Sequence, residues 1–131
     1  MFLPPKIVYE SISELFENGY PSGKLQFLVK EIARNFGVDS VNLAIYEANK
    51  DILRIIAGEK GLISKKINKE LLNSSSIIEI EGKRYFVYLL KSEGNLIGAL
   101  FSSSEIDSQK YKEYIEEFSN LLYHSCNLFM T

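Results

Sequence analysis

Residues 85–104 constrain the fold more than any other stretch, because they predict two long apolar strands joined by a tight turn. Residues 92–94, Ser-Glu-Gly, suit a three-residue hairpin loop with Gly94 in the left-handed conformation, which costs glycine little. This loop would set three cross-strand pairs: Leu89 with Ile97, Tyr88 with Gly98, and Val87 with Ala99. Both sets of alternating residues are largely apolar, so we expect the hairpin to be covered on both faces, as in the centre of a sheet.

Length and charge limit what the chain can be. With 131 residues, of which 46% are hydrophobic, the chain is long enough for one domain, which we place at residues 5–131. The net charge of -2 leaves no basic surplus, so no nucleic-acid partner is expected. No apolar run approaches the roughly twenty residues of a membrane helix, and the N-terminus lacks a signal-peptide pattern. We therefore expect a cytoplasmic protein without a membrane partner.

Few residues offer reactive chemistry. The single cysteine, Cys126, and the single histidine, His124, cannot form a Cys/His metal cage within one chain, so neither a metal nor a cofactor is predicted. His124 has no readable partner that would position it as a general base, and Cys126 falls on the apolar stripe of a predicted helix. The phosphate-binding glycine motifs are also missing from the sequence. These observations predict that the chain is not an enzyme.

Three stretches carry apolar residues at helical spacing. Residues 24–36 form the clearest amphipathic helix, which Gly37 is expected to end. Further helices are predicted at 5–18 and at about 107–131. The latter has no glycine or proline to stop it, so we expect either that it was cut or that it continues elsewhere. The apolar positions predicted to mediate a homodimer through these terminal helices are Val8, Ile12, Leu15, Tyr114, Leu121, Leu122 and Phe129.

The middle of the chain is rich in predicted strands. Apolar or alternating runs indicate strands at 41–47, 52–57 and 77–80, besides the two hairpin strands. Residues 58–76, called here the covering segment, are more polar and predict only a short helix over 65–73. Strands clustered between helices, with hairpin-length connections, predict an α+β fold. We expect its sheet to be antiparallel, with the covering segment between the second and third predicted strands.

The strands also contain the candidate ligand-binding residues. Asn42 is polar, lies mid-strand and shares a face with Ala44 and Tyr46, so if that face is covered it needs backbone or ligand partners. Tyr46, Phe86 and Tyr88 fit the lining of a small-molecule pocket with a polar rim, although each taken singly fits better as a core aromatic whose polar end reaches the edge. The candidate ligand-binding set is therefore Asn42, Ala44, Tyr46, Phe86 and Tyr88.

This pattern resembles the GAF domain, a small sensory module of bacterial signalling proteins and phytochromes. The resemblance extends from about residue 25 to residue 129. It is most specific in residues 95–101, Asn-Leu-Ile-Gly-Ala-Leu-Phe, which look like a late strand of the family. The resemblance implies a central antiparallel sheet of five to six strands, with helices packed on one face and the covering segment, with any pocket, on the other. It also implies a sensory role without catalysis, dimerisation, and a last helix that leads into a signalling or effector segment.

The functional motifs of the family are mostly missing. Members that carry a bilin attach it through a cysteine in the covering region, and residues 58–76 contain none. Residues 68–70, Asn-Lys-Glu, do not form the Asn-Lys-Phe-Asp-Glu set of the cyclic-nucleotide binders. Members that reduce methionine sulfoxide need several cysteines, and haem-binding members use a pocket histidine, whereas His124 falls on the last predicted helix.

Two functional hypotheses follow. The first is a regulatory sensor that binds a small-molecule effector beneath the covering segment and relays the event through the terminal helices. The second is a ligand-free homodimerisation or interaction module with a filled core. A space filled by the side chains of Leu62, Ile67 and Leu71 would count heavily against the first hypothesis.

Overall fold

Residues 23–47, 49–72, 76–92 and 94–107 are described by this computed structural model, and they form one α-helix and a six-stranded sheet. The predicted helix 5–18 and all but the first residue of the predicted helix 107–131 lie outside the described residues. The proposed dimer positions on those helices, together with His124 and Cys126, lie outside them too.

Helix α1 comprises Gly23–Phe36, as the apolar spacing predicts. Its buried stripe contains Leu28, Val29, Ile32 and Ala33. Gly37, at φ 67°, ends the helix: its amide donates to the Arg34 carbonyl at 3.2 Å, and the next amide, of Val38, donates to the Ala33 carbonyl at 3.0 Å. This pair of bonds is the Schellman arrangement, which satisfies the last carbonyls of a helix and favours glycine at the left-handed position.

The sheet is antiparallel throughout. Its strands are β1 (Val41–Glu47), β2 (Ile52–Ala57), β3 (Lys66–Asn68), β4 (Ile77–Ile80), β5 (Lys83–Ser92) and β6 (Asn95–Ser102). The spatial order is β3-β2-β1-β6-β5-β4. The predicted fold class, α+β with an antiparallel sheet, is thereby confirmed, with six strands.

The central hairpin is formed by β5 and β6, and Gly94 has the predicted positive φ, at 81°. Its predicted register is wrong by two residues. The observed pairs include Ser92 with Asn95, Leu90 with Gly98, and Leu89 with Ala99. The loop is therefore one residue shorter than predicted, and Ile97 is an extra residue in a β-bulge. The three predicted pairs are displaced by an even number of residues, so their side chains remain on the predicted faces, whereas the pairs between the bulge and the loop are displaced by one.

The predicted short helix over 65–73 is also wrong. The chain there forms strand β3 and then a 3-10 helix, Lys69–Leu72. Pairing with β2 supplies the reason, because the amide of Ile55 donates to the Lys65 carbonyl at 2.9 Å and that of Ser64 to the Ile55 carbonyl at 2.8 Å. Backbone bonds to a neighbouring strand outweigh the weak helical spacing of this segment.

The sheet curls, so that its two outer strands approach each other. Strands β3 and β4 are at opposite ends of the strand order, yet Lys65, just before β3, forms an ion pair with Glu81, just after β4. The concave face holds an apolar cluster of Ala44, Leu53, Ile55, Leu62, Ile67, Leu72, Ile80, Tyr85, Val87, Ala99 and Phe101. Helix α1 packs on the other face, against β1 and β2.

Candidate functional site

The most extensive polar cluster of the described residues lies where the covering segment leaves β2. Asn42 is completely buried in β1, and its side-chain oxygen accepts a hydrogen bond from the Glu59 amide at 2.8 Å. Its side-chain nitrogen donates to Glu59 Oε2 at 3.0 Å and to the Phe101 carbonyl at 3.3 Å. The predicted need of Asn42 for partners is thus met by the chain itself, through both backbone and side-chain groups.

Gly58 is required for this arrangement. Its φ is 133°, and a Cβ at this position would lie 2.2 Å from Asn42 Oδ1. Gln26 of α1 also holds Gly58 from the other side, because its side chain accepts from the Gly58 amide at 2.8 Å and donates to the Gly58 carbonyl at 3.1 Å. The first residues of the covering segment are therefore fixed between α1 and β1.

The Glu59 carboxylate is the centre of this cluster, which we call the Glu59 junction (Ser40, Asn42, Glu59, Lys83 and Tyr85). Besides Asn42, it accepts from Ser40 Oγ at 3.4 Å and lies 3.9 Å from Lys83 Nζ. Burial raises the pKa of Tyr85 to about 12, and the hydrogen bond of its hydroxyl to Glu59 acts in the same direction. Polar groups from β1, β5 and the α1–β1 connection thus converge on one acidic side chain of the covering segment.

Lys69 of the covering segment makes a second polar contact, with Asp51 and Tyr46. The Tyr46 hydroxyl donates to Asp51 Oδ1 at 2.6 Å, and this hydrogen bond raises the pKa of Tyr46. Lys69 Nζ lies 3.9 Å from Asp51 Oδ1 and 5.4 Å from the centre of the Tyr46 ring. A cation over an aromatic face is attractive, although exposed contacts of this kind contribute little.

Apolar side chains of the covering segment pack into the cluster on the concave face. Leu62, Ile67 and Leu72 of the covering segment are buried in the same cluster as Ala44 of β1. Leu71, which the sequence predicts to point inwards, is instead 60% exposed. The concave face is thus occupied by the segment that covers it.

A shallow groove lies beside the Glu59 junction, on the α1 side. Its volume is about 380 Å³. Val29, Ala33, Val38 and Val41 supply apolar walls, and Glu59 reaches its edge. The groove is open to solvent rather than enclosed.

The structure does not bring the five candidate ligand-binding residues together. Asn42, Ala44 and Tyr46 alternate along β1 towards the concave face, whereas Phe86 and Tyr88 of β5 point to the opposite face from Tyr85 and Val87 of the concave cluster. The Tyr88 hydroxyl accepts a hydrogen bond from the Ile106 amide at 2.7 Å. A single pocket beneath the covering segment therefore cannot include all five residues.

Sequence reasoning missed Glu59 and Gln26. Glu59 lies 17 positions after Asn42, in a segment without apolar periodicity, and Gln26 lies 32 positions before Gly58. The only available signal was the combination of a buried mid-strand asparagine with a glycine at the end of the adjacent predicted strand.

The described part of the chain holds neither a metal-binding group of side chains nor a membrane-spanning helix. No group of three histidine, cysteine, aspartate or glutamate side chains there is placed to hold a metal ion. Among the described helices, none combines the length and apolar character that crossing a bilayer demands.

Solved structures share this architecture. The GAF domain of an Acinetobacter phosphoenolpyruvate-protein phosphotransferase is similar with a TM-score of 0.62 and 10% identity, over 100% of both chains. The phycoerythrobilin-bound GAF domain of a cyanobacterial phytochrome is similar with a TM-score of 0.58 and 13% identity, over 99% of this chain and 98% of that one. The chain has a GAF-like fold.

One similar GAF-like structure is an enzyme. It is free methionine-R-sulfoxide reductase from Neisseria meningitidis in complex with its substrate, with a TM-score of 0.57 and 14% identity, over 99% of this chain and 96% of that one. By sequence, no family model and no curated protein matches the chain. Likeness at these identities concerns the fold, so the resemblance inferred from the sequence is confirmed at that level.

Proposed function

We propose that this GAF-like chain is a non-catalytic regulatory module of signal transduction that acts through its surfaces, with a concave face filled by its own side chains. The burial of Leu62, Ile67 and Leu72 against the sheet is the observation that supports this reading most directly. It favours the hypothesis of a ligand-free homodimerisation or interaction module over that of a small-molecule effector bound beneath the covering segment.

The similar structures support a regulatory rather than a catalytic role. One is part of a phosphotransferase and another carries a phytochrome pigment. The covering segment of this chain has no cysteine to which such a pigment could be attached, and Cys126 is the only cysteine in the sequence. By the resemblance, family members that reduce methionine sulfoxide need several cysteines, and this sequence has one.

The homodimer is proposed to form through the predicted helices 5–18 and 107–131. Sedimentation velocity of the full chain tests this directly. We expect a dimer that Leu121→Glu dissociates, because the substitution places a charge on the predicted apolar stripe. Leu71→Glu is the matched control, since Leu71 is 60% exposed, and it should leave the dimer intact. A chain that remains monomeric at every concentration would overturn the dimer.

The filled concave face has its own test. In a thermal-shift screen with amino acids, nucleotides and cyclic nucleotides, we expect no compound to raise the melting temperature saturably by binding to this face. Ala44→Val is the diagnostic variant, because Ala44 is completely buried beneath the covering segment. A metabolite that stabilises the wild type, but not Ala44→Val, would show that the concave face does bind a ligand. Turnover of any metabolite by the chain would contradict the absence of catalysis.

A further inference from the structure

Two hydrogen-bonded paths join Glu59 to the end of β6. In the first, the Asn42 side-chain nitrogen donates to both Glu59 Oε2 and the Phe101 carbonyl. In the second, Ser40 Oγ donates to Glu59 Oε2, and the Ser40 backbone is bound to Ser103. The Ser40 amide donates to Ser103 Oγ at 3.1 Å, and the Ser103 amide donates to the Ser40 carbonyl at 3.1 Å. Both paths run from the covering segment to the residues at which the chain leaves the sheet.

The chain beyond β6 is held in turn by its own hydrogen bonds. Ser102 Oγ donates to the Ser104 carbonyl at 2.6 Å and accepts from the Ser104 amide at 3.3 Å. The Ile106 amide donates to the Tyr88 hydroxyl, and the Ile106 side chain is buried. Residues 103–106 therefore take their direction from the sheet, immediately before the predicted C-terminal helix.

We propose that the Glu59 junction couples the covering segment to this exit, so that a displacement of Glu59 loosens residues 103–106. Asn42 is completely buried, so water cannot readily replace the acceptor that its nitrogen would lose. Ser40 would lose its link to the covering segment at the same time. That this coupling serves regulation rests on the proposed function, whereas the coupling itself follows from the hydrogen bonds of Glu59, Asn42 and Ser40.

Amide hydrogen exchange of the full chain, resolved by residue, tests the coupling. Glu59→Gln keeps the size of the side chain and removes its charge. Local opening at the Ile106 and Ser103 amides should become about threefold to tenfold more frequent, as expected when a charge-assisted hydrogen bond of the network becomes a weaker, neutral one. Coupling is reciprocal, so Ser103→Ala should accelerate exchange at the Gly58 and Glu59 amides.

Two matched controls separate coupling from general loosening. Glu70→Gln removes a charge from an exposed residue of the covering segment, and Ser104→Ala removes an exposed hydroxyl from the exit. Neither should change exchange at the opposite end. The proposal is refuted if Glu59→Gln accelerates amide exchange only in residues 58–62. It is also refuted if either control accelerates exchange at the opposite end as much as the test variants do. Sedimentation and turnover assays, which test the proposed function, do not depend on this result.

Discussion

Replacement of Gly58 by alanine gives the sharpest test of the Glu59 junction. At φ 133° an L side chain is strained, and a backbone held in such a region costs about 1–3 kcal/mol. The added Cβ would also lie 2.2 Å from Asn42 Oδ1 and 2.9 Å from Asn42 Cα. Asn42 must therefore move, and a buried polar group that loses its partner costs about 1–3 kcal/mol. Together these effects predict a loss of about 2–6 kcal/mol, a large part of the roughly 5–15 kcal/mol that stabilises a typical domain.

Urea denaturation of Gly58→Ala and Gly61→Ala measures this loss. Gly61 lies in the same covering segment, and no atom lies within 4 Å of a Cβ built there. Its replacement should change the free energy of unfolding by less than about 1 kcal/mol, with a gain possible through reduced freedom of the unfolded chain. Equal midpoints for the two variants, or a loss below about 1 kcal/mol for Gly58→Ala, would refute the role assigned to Gly58 and Asn42.

Two further predictions concern the concave face and the buried tyrosine. Leu72→Ala should reduce the free energy of unfolding by about 2–4 kcal/mol because Leu72 is buried, whereas Leu71→Ala should reduce it by less than about 0.5 kcal/mol. Equal losses for the two variants in urea denaturation would contradict a concave face filled by Leu72. Burial raises the pKa of Tyr85 to about 12, whereas the pKa of tyrosine in an unfolded chain is about 10. The contribution of the neutral Tyr85 hydroxyl to stability is therefore fully present below about pH 10 and is lost as the pH rises towards 12. Stability measured against pH should therefore decline less at alkaline pH in Tyr85→Phe than in the wild type, and parallel curves would disprove this.

The sequence predicted the fold well where local pattern and tertiary packing agree. Helix α1 and its end at Gly37 follow from apolar spacing and one glycine, and the positive φ of Gly94 follows from its place in a hairpin loop. The hairpin register did not follow, because Ile97 enters as an extra residue and an apolar run does not reveal which residue bulges. Strand β3 was missed because three residues are too few for a visible alternation.

The candidate site was harder to predict than the fold. The burial of Asn42 and its need for partners followed from its position within an apolar strand. Glu59 could not be identified as that partner, because its position depends on how the chain turns at Gly58. Phe86 and Tyr88 were grouped with Tyr46, although they lie on the opposite face of the sheet, because β5 is apolar on both sides and its alternation does not say which side the covering segment meets.

The short outer strands of the curled sheet bear on how this chain behaves at high concentration. β3 has three residues and β4 has four, and the Lys65–Glu81 ion pair bridges the two borders of the sheet. An unpaired strand edge is a template for the addition of foreign strands, and short, charged edges offer a poor one. Lys65→Ile would remove that ion pair and one charge from the border of the sheet, so it should promote aggregation at high concentration without any loss of the buried core.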